Sequence, residues 1–416
     1  MQKRWKQAWG MDVIQAEGGK KGVLPEAFGM EAARAARAFH RQLPGYQETP
    51  LVCLSSLADK LGVKGIYTKN EAKRFSLNAF KGLGGSYAMF RILCRRLGLD
   101  PAETSLEKLQ SPKYQEVIRS TVFVTATDGN HGRGVSWAGG IFGCPVHVYM
   151  PMGSVEARAE AIRRVGPARV TITNKNYDDT VSYAMEQSRS NGWYLIQDTA
   201  WDGYEEIPAW IIQGYLTMAS EAFEQLEQAG ERPTHLFLQA GVGAMAGGVL
   251  GYAAHYYGEQ KPVTILVEPS AADCIYRSAL AEDGKAHSVE GNPVTIMAGL
   301  NCGTPCKITW PILRDFAEFY CSCPDYVAAH GMRVYAGEET DGEAVVSGES
   351  GAATMGALSL ILERTELTEI KEAMGLTSDS VILLINTEGD TDPEGYRNIV
   401  EKGAYPIPEE LQEDMR

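Results

Sequence analysis

The apolar residues of this chain gather in short, near-continuous runs, with longer amphipathic stretches between them. The runs at 121–127 (TVFVTAT), 146–150 (VHVYM), 169–173 (RVTIT), 193–197 (WYLIQ), 235–240 (HLFLQA), 264–268 (TILVE) and 381–386 (VILLIN) read as strands. Continuous rather than alternating hydrophobicity marks strands covered on both faces. The stretch 155–165 (VEARAEAIRRV) has helical periodicity and is closed by Gly166 and Pro167, and 207–226 is a longer helix with an early proline. Strands alternating with helices predict an α/β protein with two doubly wound, largely parallel open sheets and helices on both faces. The polar segment 99–120 has a helical pattern and reads as an elaboration that delays the next strand. The charged tail after Asp390 reads as a surface segment. The expected domains are a large one, 1–88 with 200–416, and a small one, 89–199.

Composition narrows the function classes. A formal net charge of −14 argues against a nucleic-acid binder, which usually presents a basic face. The first twelve residues have no apolar core of a secretory signal, and runs such as 381–385 are far too short to span a bilayer. A cytoplasmic location with no membrane partner is the expectation. Eight cysteines are too sparse for a disulfide scaffold. Cys302 and Cys306, and Cys321 and Cys323, form close pairs, but no histidine lies near them at zinc-finger spacing. Scattered thiols and no metal site are expected, and a local disulfide joining Cys302 to Cys274 or Cys306 stays open.

Ligands of doubly wound sheets sit at the carboxyl ends of the strands, so the chemistry belongs in the turns. The turn TATDGNHG, 125–132, follows a strand and precedes helix-like sequence. Thr127, Asp128, Gly129 and Asn130 can present N–H groups and short polar side chains to an anion such as a substrate carboxylate. The same residues also suit a plain helix cap. The turn QAGVGAMAGG, 239–248, can bring its backbone and a helix N-terminus to a phosphate. No Lys-Ser/Thr follows, so it is not a Walker A loop, while close helix–strand packing and a dinucleotide fingerprint stay open. In INTEGDTD, 385–392, Asn386 and Thr387 can offer a neutral side chain to a ring nitrogen, or form a simple strand-end turn. Lys81 stands out by its company: Phe80 precedes it and Gly82, Gly84 and Gly85 follow. A lysine kept for solubility needs no such neighbours.

Together these segments resemble the fold-type II pyridoxal-phosphate (PLP) enzymes, the group that holds the serine and threonine dehydratases, threonine synthase and the tryptophan synthase β-subunit. AFKG at 79–82, TDGNHG at 127–132, AGVGAMAGG at 240–248, SGESGAA at 347–353 and NTEGDTD at 386–392 are similar to that family's motifs and occur in its order, over about residues 50 to 395. Two departures narrow the resemblance. Dehydratases carry serine where Asp128 stands, and usually four glycines where this chain has Gly241, Val242, Gly243 and Ala244. With QDTAW at 197–201, the set is similar to the family's ammonia-lyases that act on 2,3-diaminopropionate.

The resemblance implies a carbon–nitrogen lyase of amino-acid catabolism, a homodimer, that eliminates ammonia from small-molecule D- or L-2,3-diaminopropionate to leave pyruvate. It implies that Lys81 holds pyridoxal 5'-phosphate as a Schiff base and takes the α-proton of the L form, with Asp128 serving the D form. Asp198 would be the third acid, orienting the β-amino group or Asp128. Phe80 would flank the cofactor, Asn130 would bond the ring oxygen, and Gly241, Val242, Gly243, Ala244 and Met245 would cradle the phosphate. Asn386 or Thr387 would face the pyridine nitrogen. Thr127, Asp128, Gly129, Asn130, His131 and Asp198 would contact substrate. Alternatives are a serine or threonine dehydratase or another PLP-dependent β-eliminase or synthase of this fold. A silent ligand-binding relative is disfavoured by the joint presence of Lys81, Asp128 and Asp198. A nicotinamide-dependent dehydrogenase is disfavoured because only Glu268 is available as a ribose-binding acid.

Overall fold

The computed structural model describes residues 2–16, 22–291, 293–337 and 344–411. In chain order its strands are β1 (Lys3–Ala8), β2 (Met11–Gln15), β3 (Leu51–Cys53), β4 (Gly65–Asn70), β5 (Phe123–Ala126), β6 (Val146–Met150), β7 (Ala168–Ile172), β8 (Tyr194–Leu195), β9 (His235–Gln239), β10 (Val263–Pro269), β11 (Phe319–Cys323) and β12 (Val381–Asn386). They form an eight-stranded sheet, ordered β1-β2-β11-β10-β9-β12-β4-β3, and a four-stranded sheet, ordered β7-β6-β5-β8. Every neighbour pair in the smaller sheet is parallel. In the larger sheet the central pairs are parallel, and the pairs β1–β2, β2–β11 and β3–β4 are antiparallel. The α/β expectation of two largely parallel sheets holds.

The seven strands read from hydrophobic runs are all present, but two are not covered on both faces. Strand β7 alternates half-buried and exposed positions, and β8 shrinks to two residues. Both lie at the edges of the smaller sheet, where one flank has no partner strand. The interior strands β9, β11 and β12 are buried at every residue. The segment 99–120 folds into short helices, Leu106–Gln110 and Gln115–Ser120, and the helices Glu156–Val165 and Glu206–Gln228 lie within a residue or two of expectation. The tail carries the helix Pro393–Val400, and its last residues, 412–416, lie outside the described residues. No helix among the described residues is long and apolar enough to cross a membrane.

The chain divides into two compact units, and the division differs from the expected one. The first comprises Met1–Pro25, Thr49–Lys73 and Met218–Arg416, and the second Glu26–Glu48 and Arg74–Thr217. Lys81 therefore belongs to the same unit as Asp128 and Asp198, not to the unit of the glycine turn. The reason is packing. Helix Lys81–Leu97 is buried along most of its length, and its first turns lie against helix Asn130–Phe142.

One polar feature of the first unit is fully enclosed. Lys69 of β4 pairs with Glu221 at 2.8 Å, and neither side chain is exposed. Lys69 Nζ also donates to the Thr49 carbonyl and to Gln225 Oε1, and the Thr49 hydroxyl donates to Glu71. A buried charge is tolerated only when paired and hydrogen-bonded, and removing one partner costs about 3–5 kcal/mol. Lys69→Met should lower stability by that amount in urea unfolding, and adding Glu221→Leu should restore most of it. Equal stability of the single variant and the wild type would show that the pair is not holding this unit.

Candidate active site

Lys81 is delivered by a strained approach. Phe75, Ser76 and Asn78 have φ of 51°, 58° and 56°, a left-handed conformation that side chains other than glycine and asparagine adopt at a cost. The chain then turns straight into helix Lys81–Leu97, with Phe80 at its cap. Gly134 of helix Asn130–Phe142 lies under this start, where an added Cβ would stand 2.8 Å from the Lys81 carbonyl oxygen. Gly85 faces Gly134 and Val135 of that helix, and Gly84 faces Ile211 and Tyr215 of helix Glu206–Gln228, so close packing accounts for both. Lys81 Nζ lies 5.1 Å from the centre of the Phe80 ring and 5.8 Å from that of Tyr215, a distance at which aromatic faces attract a cation. It donates to Asp198 Oδ2 at 2.5 Å.

Asp198 and Asp128 are neighbours because β5 and β8 are parallel partners and both turns leave their carboxyl ends. Gln197 locks the two turns together. Its buried Oε1 accepts from Ala126 N and from the Thr125 hydroxyl, and its Nε2 donates to Tyr177. Tyr204 holds the other side, accepting from Gln197 N and donating to the Leu195 carbonyl. The role of Gln197 within QDTAW was not foreseen, and Tyr204 had no motif to signal it. Thr127 Oγ1 accepts from Gly129 N and Gly132 N and so braces the turn ahead of the helix, whose cap position is Gly129. Asp128, Gly129 and Asn130 are half-buried at the head of that helix.

The acids here have opposite tendencies. Burial, helped by the charge of Asp198, pushes the Asp128 carboxyl up to about 6 against the opposing pull of Arg158. Burial also opposes ionisation of Asp198. His131 and the Lys81 ammonium outweigh it and hold that carboxyl well below the usual carboxylate range. His131 itself is drawn down, by burial first and by Lys81 as well, against the opposing pull of Asp198. His131 Nε2 lies 2.8 Å from the Ile196 carbonyl oxygen, and Nδ1 lies 3.8 Å from Asp198 Oδ2.

In the first unit, β9 and β12 are parallel partners, so the glycine turn and the turn after Asn386 leave the same sheet edge. Gly243 (φ 81°) caps helix Ala244–Tyr257 and has no side chain to satisfy its first N–H groups. Those groups and the helix dipole suit a phosphate. The turn is braced from outside: Cys306 N donates to the Val242 carbonyl at 2.7 Å, and the Cys274 thiol to that of Gly241 at 3.5 Å. None of the eight cysteines is joined in a disulfide. Asn386 is fully buried, with both its amide hydrogens engaged, one by Asn70 Oδ1 and one by the Val346 carbonyl, each at 3.0 Å. Thr387 Oγ1 accepts from Gln239 Nε2 at 3.0 Å and keeps its own proton. Gln239 Oε1 and Asn386 Oδ1 are buried with no hydrogen-bond partner among the described residues. The second unit thus offers a half-buried amine beside aromatic rings, and the first an uncapped helix start and a spare hydroxyl donor, each a group of the kind PLP uses.

Comparison with known proteins points the same way. Residues 42–386 match the family described as pyridoxal-phosphate dependent enzyme. A diaminopropionate ammonia-lyase of Escherichia coli (strain K12) is 47% identical over 93% of this chain and 95% of its own. That of Salmonella typhimurium (strain LT2) is 49% identical over 88% and 91%. The crystal structure of diaminopropionate ammonia lyase from Escherichia coli in complex with an aminoacrylate-PLP azomethine reaction intermediate superposes with a TM-score of 0.88 and 44% identity. It covers 96% of this chain and 99% of the other. With a family match over most of its length and relatives this similar, the chain belongs to the pyridoxal-phosphate dependent enzymes.

Proposed function

We propose that this protein eliminates ammonia from 2,3-diaminopropionate, in either enantiomer, and that the remainder takes up one water to give pyruvate and a second ammonia. The observation that carries the reading is the cluster of Lys81, Asp198 and Asp128. A dehydratase needs to serve a β-hydroxyl, and a neutral serine suffices for that. A β-ammonium calls for carboxylates, and this site has two. The identity to two diaminopropionate ammonia-lyases over nearly the whole chain supports the same substrate. A homodimer working in the cytoplasm belongs to this reading.

PLP, when bound, withdraws electrons from the substrate Cα and makes its hydrogen acidic. Lys81 would hold the cofactor through Nζ and, once released, take the Cα proton of the L form. Asp128 would take that of the D form. Asp198 would accept hydrogen bonds from the β-ammonium, so that the amine stays protonated and leaves as neutral ammonia. Backbone N–H groups of 241–245 would bind the phosphate, Asn130 the ring oxygen, and Phe80 would flank the ring. Of the two candidates for the pyridine nitrogen, Thr387 is favoured, because an unprotonated nitrogen needs a donor and the Asn386 amide hydrogens are spent. Thr127 would position the turn through its two N–H bonds, leaving Gly129 and the residues of the helix start to contact substrate.

The experiment is product counting. Purified protein with PLP should release two ammonia per pyruvate from D- and from L-2,3-diaminopropionate, and little pyruvate from D- or L-serine. Pyruvate mainly from serine would make it a dehydratase.

Asp128 must be ionised to act as a base, so turnover of the D form should fall as pH drops through about 6 and level off above it. Asp128→Asn should cut D turnover by about 10²–10⁴-fold, the range for loss of a general base, and cut L turnover far less. Unchanged D turnover in Asp128→Asn would remove the two-base scheme.

A further inference from the structure

The site contains a chemical conflict. To take a proton from carbon, the Lys81 amine must be neutral, yet the Asp198 carboxylate 2.5 Å away favours the ammonium. Something must receive the lysine's proton without leaving Asp198 as an unpaired buried charge. We propose that His131 is that receiver, the end of a proton relay running from Lys81 through Asp198 to His131 Nδ1. The proposal rests on the lyase reading for its purpose, but its geometry is independent of the substrate.

The tautomer of His131 follows from one contact. The Ile196 carbonyl can only accept, so the ring nitrogen 2.8 Å from it, Nε2, carries the hydrogen. In a neutral imidazole Nδ1 then holds a lone pair. That lone pair is buried, has no hydrogen-bond partner among the described residues, and lies 3.8 Å from Asp198 Oδ2. Two acceptors close together in a largely enclosed site are unfavourable unless a proton comes between them. The arrangement is one proton short, and Lys81 donates a proton to the same carboxylate oxygen.

The transfer balances without an outside reactant. A Lys81 Nζ–H bond breaks as Asp198 Oδ2–H forms. That O–H breaks in turn as His131 Nδ1–H forms, once the gap closes to hydrogen-bonding range of ~3 Å. Lys81 ends as a neutral amine, Asp198 as a carboxylate again, and His131 as an imidazolium still bonded to Ile196 through Nε2. The total charge of the three groups does not change, and Asp198 has a cationic neighbour before and after. No charge is separated, so the desolvation penalty of an isolated buried ion is avoided. Other groups that bear on the trio include Asp128, with Arg158 of helix Glu156–Val165 beside it, the Tyr204 hydroxyl, and the Phe80 and Tyr215 rings beside Lys81. His131 acts here through Asp198 and is a positioning residue for the lysine's proton, not a base on substrate.

The test is His131→Gln, whose amide can still donate to the Ile196 carbonyl but cannot take up a proton. In the PLP-free protein, competitive acetylation with acetic anhydride and peptide mass spectrometry would follow the reactivity of Lys81 against pH. The relay predicts that the variant's Lys81 becomes reactive at a pH at least one unit higher than in the wild type. In the loaded enzyme, turnover of L-2,3-diaminopropionate should fall at least tenfold further than that of the D form, whose base is Asp128. An unchanged reactivity curve, or L and D turnover falling together, would mean a structural histidine and overturn the relay. If the variant does not fold, 15N spectra of the wild-type imidazole decide. The relay requires the Nε2–H tautomer at rest, and a Nδ1–H tautomer or a permanent imidazolium overturns it. Because Lys81 reactivity is read without substrate, a failure of the lyase reading, seen as pyruvate from serine, is distinguishable from a failure of the relay.

Discussion

The candidate site depends on the pairing of Lys81 with Asp198. Both side chains are largely withdrawn from water, and each charge is stabilised by the other at hydrogen-bonding distance. The surrounding fold holds both ends of that distance. On the lysine side, three left-handed residues and the backbone contact at Gly134 fix where the helix begins. On the aspartate side, Gln197 and Tyr204 fix the strand ends from which Asp198 projects. Strain is kept on one side and a saturated hydrogen-bond network on the other, so a shift of either would break the pair rather than be absorbed.

The same pairing sets the two carboxyls apart. Asp198 has the lysine and stays ionised, whereas Asp128 feels burial and the charge of Asp198 and rises to about 6. Two acids whose surroundings drive them in opposite directions are the usual means by which one site carries two proton-handling roles. Here the division comes from position on adjacent parallel strands and needs no difference in residue type. In the first unit the parallel pair β9 and β12 likewise brings the glycine turn and the Thr387 hydroxyl to one end of the sheet, with Gln239 bridging the strands.

What the sequence made legible follows from this geometry. Buried strands rich in Leu, Ile and Val, such as β9 and β12, announce themselves as apolar runs with motif turns at their ends, whereas the equally buried β11, FYCSC, did not. Strand β4, GIYTKN, did not, because its burial includes Lys69, and a lysine is hidden only when a distant Glu221 makes it so. Strands β1 and β2 escaped because they are an antiparallel hairpin at the sheet edge, with β1 largely exposed. The division into units differs from the expected one because helix Lys81–Leu97, with Gly82, Gly84 and Gly85 closely packed in its first turns, packs within the second unit. The choice between Asn386 and Thr387 was open in sequence because both are neutral hydrogen-bonders. Only the partners already bound to Asn386 separate them. His131 was visible as part of a turn, but its tautomer is set by the Ile196 carbonyl 65 positions away.

On the proposed reading, Asp128 gives the site a charge that a serine cannot. Below about pH 6 a protonated Asp128 is a neutral hydroxyl donor, electrostatically close to the serine of a dehydratase. Above that pH it is an anion, a second carboxylate beside Asp198, with Lys81 paired to Asp198 and Arg158 near Asp128. A substrate with a β-ammonium can pair with that second carboxylate, and a substrate with a β-hydroxyl brings no charge to it. Discrimination between the two is then a consequence of burying a second carboxylate beside a pair that is already satisfied. The same burial that makes Asp128 reluctant to ionise makes its charge, once formed, worth most to a cationic substrate.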